Sequence, residues 1–180
     1  VGRGYSLTLV NHDGNSWQLS STLKDTENAQ LTLRSCPADS VAQLGDTSPL
    51  KVIITGDNSF SGGLVHEYGL ISTSHAHALG TGVVSLGGHD ADSDGKLLLN
   101  KNLMVAGVQS LEDWQGNISQ YGTLSLNRRT LTVGAYGYEQ DAVYAGLFNN
   151  SYIGSIAKIG SNTQKFTSAT AKVENVSVQG

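Results

Sequence analysis

The sequence predicts an all-β chain made of many short strands, on three observations. Short apolar pulses are each stopped by Gly or Asn and recur about every eight to twelve residues. Within the pulses apolar side chains alternate, as at Leu124 and Leu126 or Leu131 and Val133, which turns one row inward and one row to solvent. Gly is frequent, 22 of 180 residues, and Pro occurs only twice, so the chain turns often without forming a polyproline linker. Two architectures fit this spacing. One is an antiparallel β-sandwich or jelly roll; the other is a parallel β-helix, whose ~20-residue coils each contribute two or three short strands. Composition alone does not choose between them. The apolar supply is modest, 38% hydrophobic and 7% aromatic, which suits the narrow interior of a solenoid better than a compact globule.

In chain order, the first half reads as strands over Tyr5–Val10, Trp17–Thr22, Ala29–Arg34, Leu50–Thr55, Gly63–His66, Leu70–Ser72, Val83–Leu86 and Lys96–Leu99. The second half adds Leu103–Ala106, Gly122–Leu126, Leu131–Ala135, Val143–Phe148, Ser155–Ile159, Gln164–Thr167, Ala171–Val173 and Val176–Val178. The separators are single Gly, Asn-Gly-like or Gly-Gly steps, which supply positive φ at little cost. Leu103–Leu111 and Val41–Leu44 come nearest to helices, but neither has a cap or a 3.6 period. In a β-helix, Val52, Ile54, Val65, Ile71, Val83 and Leu86 would line the bore, and Asn and Ser would form hydrogen-bonded ladders at the corners.

Bulk properties exclude several functions. Net charge is −4 and the basic residues are scattered apart from Arg128-Arg129, so no basic face invites nucleic acid. No run of 18 apolar residues spans a membrane as a helix. No signal peptide opens the sequence, and Val1 is read as the start of a piece cut from a longer precursor. The single cysteine, Cys36, rules out an internal disulfide and a thiolate zinc site.

Lys51-Val-Ile-Ile-Thr-Gly-Asp-Asn-Ser-Phe-Ser-Gly-Gly63, Leu64-Val-His-Glu-Tyr-Gly-Leu-Ile71 and His77-Ala-Leu-Gly-Thr-Gly-Val-Val-Ser-Leu-Gly-Gly88 together resemble the passenger-associated repeat of Gram-negative autotransporters. The stretch from Tyr144 through Ile153-Gly-Ser-Ile-Ala-Lys-Ile-Gly-Ser161 to Gln164-Lys-Phe-Thr167 resembles a second phrase of that family. It leads into Val176-Ser-Val-Gln-Gly180, which echoes Val65–Gly69. Residues 1–50 match no such phrase. His77 stands where the family has a small residue, and Arg128-Arg129 interrupts a smooth passage between coils. The resemblance implies a right-handed parallel β-helix, with residues 1–180 as one segment of a larger passenger and repeat-like phrases at 51–88 and 144–180. It also implies export through the periplasm and outer membrane to the cell surface. The expected role is non-catalytic: adhesion or self-association, or a stalk and folding nucleus. The expected partners are a host surface protein or glycan, like passengers, and the C-terminal membrane barrel of the same precursor. Low cysteine content agrees with passage through an oxidising periplasm. The alternative is a jelly-roll carbohydrate-binding module, with or without a calcium requirement, since the tail from Ala169 to Gly180 is similar to the last strand of such sandwiches.

Asp90, Asp92 and Asp94, followed by Gly95, form a D-x-D-x-D-G loop whose alternate carboxylates could converge on Ca²⁺. A complete EF-hand is excluded, because its ninth and twelfth positions are Leu98 and Lys101. No cofactor is expected; calcium is the one ion this loop could hold, and the other reading is a solvated acidic turn between two strands. His75-x-His77 has a metal-like spacing but no third ligand nearby in sequence. Glu112, Asp113 and Trp114 form a local acid–aromatic group. Trp114, Tyr136 and Tyr138 are the candidate binding surface, with Tyr121 and Tyr152 as further surface aromatics. No nucleophile elbow is present, and the chain is not expected to be an enzyme.

Overall fold

The computed structural model describes residues 5–9, 16–24, 31–35, 51–88, 94–112, 115–168 and 171–179. They form a parallel β-solenoid of seventeen short strands. The first eight are β1 (Tyr5–Leu9), β2 (Ser16–Leu19), β3 (Leu31–Ser35), β4 (Lys51–Ile54), β5 (Leu64–His66), β6 (Gly69–Thr73), β7 (Val83–Leu86) and β8 (Gly95–Leu99). The remainder are β9 (Leu103–Met104), β10 (Gly107–Ser110), β11 (Thr123–Ser125), β12 (Thr130–Val133), β13 (Ala142–Tyr144), β14 (Leu147–Phe148), β15 (Ser155–Lys158), β16 (Gln164–Phe166) and β17 (Val176–Val178). A single 3₁₀ turn, Asn150–Tyr152, is the only helical piece among the described residues.

Successive strands pass from face to face, and each lands on its counterpart one coil earlier. The first face stacks β1-β3-β5-β7-β10, the second β2-β4-β6-β8-β11-β14, and the third β9-β12-β15-β17; β13 and β16 pair beside the first. Every ladder between these strands is parallel. The antiparallel contacts are two isolated bridges, Gly88–Asp94 and Glu112–Ile118, which close loops. The antiparallel sandwich alternative is thereby excluded for these residues. β1 to β3 lie on the same stack, so the described residues before 51 continue the solenoid although they carry no repeat phrase.

Parallel stacking at ~4.8 Å sets equivalent side chains one above another. On the second face Val52, Ile71, Leu97, Leu124 and Phe148 form one inward column through successive registers. Leu64, Val84 and Val108 do so on the first face, and Leu103, Leu131 and Ile156 on the third. All of these are buried.

Four expected bore residues are indeed inside: Val52, Ile54, Ile71 and Leu86. Val65 and Val83 are not. β5 presents Leu64 and His66 inward with Val65 between them on the outer side, and β7 presents Val84 and Leu86. The phase follows from Gly63, which has φ +79° and stands where a Cβ would lie 2.1 Å from the Val83 carbonyl oxygen. Only glycine fits there, and alternation restarts at Leu64.

Three further differences concern boundaries. Gly107–Ser110 is a strand within a stretch that came nearest to a helix. Val143–Phe148 is two strands on two faces, broken at Ala145-Gly146. Ala171–Val173 has no strand, and β17 stacks on β15 of the third face, whereas Val65 belongs to β5 of the first. The echo between the two phrases therefore does not place them equivalently. Val41–Leu44 lies outside the described residues. Arg128-Arg129 does not break the stack: Asn127 and Arg128 take left-handed φ of 50° and 60° at a corner, and the Arg128 guanidinium lies 5.0 Å from the Tyr152 ring centroid.

Candidate functional site

Corner residues are where this fold brings distant chain together. β4 ends at Ile54 and β6, one coil later, ends at Thr73, paired with it. The chain leaving each strand turns the same corner, so Asp57 comes under the loop carrying His75 and His77. Asn58 fixes the stack. Its N–H donates to the His77 carbonyl at 3.2 Å, its Nδ2 donates to the Ala78 carbonyl at 2.7 Å, and its Oδ1 accepts from the Leu23 N–H at 2.7 Å. One buried amide thus ties three levels, the corner role expected of asparagine.

The result is a cluster of one carboxylate and two imidazoles whose ligand atoms lie within 4.8 Å of one another. His77 Nδ1 is 2.9 Å and His75 Nδ1 3.6 Å from Asp57 Oδ1. The short contact assigns the His77 proton to Nδ1, since a carboxylate only accepts. His75 Nδ1 accepts from the His77 backbone N–H at 3.2 Å, so it carries a lone pair. The His77 hydrogen bond holds the Asp57 carboxyl below its ordinary value, desolvation opposes, and the charges of His75, His77 and Lys24 add to the lowering. The two imidazoles meet edge to face at 5.5 Å.

Tyr136 completes this corner from the turn after β12. Its ring lies 6.4 Å from that of His77, and desolvation followed by the Asp57 charge pushes its hydroxyl pKa up. Its φ is +62°, a left-handed conformation that aromatic residues rarely take, and it remains 44% exposed. Of the expected surface aromatics, Tyr136 therefore belongs to the histidine corner. Tyr138 stands two residues on, half buried, its hydroxyl donating to Gln140 Oε1 at 3.2 Å. Trp114 lies outside the described residues, as does Asp113.

The acidic loop is only partly described, with Asp90 and Asp92 outside the described residues. Asp94 is 2% exposed. Its Oδ2 accepts from Thr123 Oγ1 at 2.5 Å, and its Oδ1 lies 3.1 Å from Lys96 Nζ, an ion pair without hydrogen-bond geometry. Both oxygens are thus engaged with the solenoid wall. Gly95 begins β8 rather than a sharp turn; a Cβ there would lie 2.3 Å from the His66 carbonyl oxygen.

Below Gly95 sits a residue the sequence reading did not single out as a site. His66 is wholly buried, and its Nε2 donates to the Gly69 carbonyl at 3.0 Å. Burial lowers its pKa to about 4, with the Gly69 and Lys96 carbonyls and the Asp94 charge pulling the other way. The alternation of β5 in the phase that puts Val65 inward turns His66 outward, so only the phase set by Gly63 reveals it.

A hollow of about 430 Å³ opens on the first face beside β10 and is lined by Ser110, Glu112, Ile118 and Asp141 among others. The Asp141 carboxylate accepts from the Thr163 N–H at 2.7 Å.

Comparison with known families, with characterised proteins and with solved structures finds no match to this chain.

Proposed function

We propose that this chain is a non-catalytic segment of a surface-exposed passenger of the autotransporter kind, acting in adhesion or self-association, or as a stalk that nucleates folding. The supporting observation is the parallel stack of the described strands, which repeats outward positions at a fixed spacing. Lys51, Leu70, Lys96 and Thr123 are one such row, set one above another through successive registers. A flat repetitive surface makes many weak contacts, and many copies on a cell multiply them. The partners of this reading are a host surface protein or glycan, like passengers, and a C-terminal membrane barrel that delivers the chain through the outer membrane.

The last coil supports the stalk role. Phe148, Ile156, Phe166, Val173 and the exposed Val176 and Val178 surround an apolar hollow of about 260 Å³. Such a surface suits the stacking of a further coil.

Display on a non-adherent Gram-negative strain, joined to a translocating β-barrel, tests this reading. The expected result is a protease-accessible folded chain on the surface, with cells that cluster or bind matrix-coated wells above the barrel-only control. Cells that display the folded chain yet neither cluster nor bind, with no faster folding of a passenger fused before it, would reject it.

A further inference from the structure

We propose that Asp57, His75 and His77 form a binding site for a divalent transition-metal ion of the zinc class, open to solvent and joining two successive coils. The donor set is one carboxylate and two imidazoles, the combination that suits Zn²⁺, Cu²⁺ or Ni²⁺ over Ca²⁺ or Mg²⁺. The geometry agrees. Tetrahedral ligation with bonds of about 2.0–2.1 Å places ligand atoms roughly 3.4 Å apart. The Asp57 Oδ1 separations from His77 Nδ1 and His75 Nδ1, 2.9 and 3.6 Å, bracket that distance, and the ligand atoms of the two imidazoles lie within 4.8 Å of each other.

The chemistry of entry is simple. His75 Nδ1 already presents a lone pair and trades a backbone N–H for the ion. His77 moves its proton from Nδ1 to Nε2, remains neutral, and gives up its hydrogen bond to Asp57. The Asp57 side chain is 65% exposed and those of His75 and His77 39% and 40%, so the ion reaches the site directly and keeps at least one position for water or a partner's side chain. Tyr136 covers the His77 side of the corner. This inference goes beyond the surface role above and does not depend on it.

Isothermal titration of the 180-residue chain with ZnCl₂, beside CaCl₂, is the test, with thermal unfolding in each salt. The expected result is one Zn²⁺ per chain, a raised unfolding temperature, and no comparable response to Ca²⁺. His75→Ala and His77→Ala should each weaken Zn²⁺ binding at least tenfold, while the His12→Ala/His89→Ala variant should bind as the parent does. Circular dichroism of each metal-free variant reports whether its fold is kept, and Asp57→Asn supplies a third, isosteric variant. Zn²⁺ binding undiminished in the folded His75→Ala/His77→Ala double variant, or no Zn²⁺ binding by the parent chain, overturns the proposal.

Discussion

His66 occupies a bore position that every neighbour in its column fills with a side chain able to stay neutral. Leu86 follows it in register on β7 and Ser110 on β10. The consequence is an acid sensitivity. The folded chain holds His66 near pKa 4, whereas the unfolded chain returns it to about 6.5. Between those values the unfolded state takes up a proton that the folded state refuses. The His66 contribution to stability is therefore intact above about pH 6.5, falls as pH drops towards 4, and levels off below, by about 3 kcal/mol in all. Urea unfolding at pH 7 and pH 4.5 should show most of this loss, about 2 kcal/mol, in the parent chain and a loss smaller by about that amount in His66→Leu. Equal losses in both would remove His66 as the cause. Gly95, packed over the same residue, should be equally intolerant. A Cβ at 2.3 Å from the His66 carbonyl oxygen can be relieved only by moving backbone, so Gly95→Ala should cost about 3 kcal/mol. Gly116, where a Cβ meets nothing but φ is +81°, should cost about 1 kcal/mol. Thermal melts of the two variants separate a packing requirement from a conformational one.

At the scale of elements, the first face contains a break that one side chain repairs. β10 pairs with β7 on one side, but β13 forms its own two-stranded sheet with β16 and leaves the other edge of β10 without a ladder. Gln164, from β16, reaches across. Its Oε1 accepts from the Val108 N–H at 2.9 Å, and its Nε2 donates to the Val108 carbonyl at 2.7 Å. Ser110 Oγ likewise accepts from the Ala145 N–H at 2.9 Å. Gln164→Ala leaves both Val108 groups without partners and should cost about 3 kcal/mol, with faster exchange of the Val108 amide proton. Unchanged exchange would mean that water replaces the amide without loss. None of this was legible beforehand, because Gln164 and Val108 are 56 residues apart and strand propensity says nothing of which neighbour is skipped. The alternating rows were legible, since burial demands a period of two, but their phase at Val65 and Val83 depended on the close approach at Gly63. The histidine pair could be read from spacing. Asp57 could not, until the register was known: Lys51 pairs with Leu70, an offset of 19 residues, and the same offset carries Asp57 to Ala76, between the two histidines.

At the scale of the whole molecule, each strand pairs only with the strand one coil before and one coil after, so stability is nearly a sum of coil terms and neighbour terms. That gives the chain a response to shortening that a globule with one shared core does not have. The last coil is also its own aromatic unit. Tyr144, Phe148 and Phe166 meet edge to face with centroids 5.7 to 6.3 Å apart, and the Tyr144 hydroxyl donates to the Gly122 carbonyl at 2.8 Å. Deleting residues 163–180 removes β16 and β17 and takes Phe166 from that cluster, but leaves every register among β2, β4, β6, β8 and β11 untouched. The shortened chain should therefore keep its β-type far-ultraviolet dichroism and a cooperative urea transition at a lower midpoint, while its near-ultraviolet signal weakens. Scattering from the full chain should give a radius of gyration above the roughly 16 Å of a compact 180-residue sphere. If the shortened chain instead loses its far-ultraviolet signal altogether, the coils share one indivisible core and the neighbour-by-neighbour account of this solenoid fails.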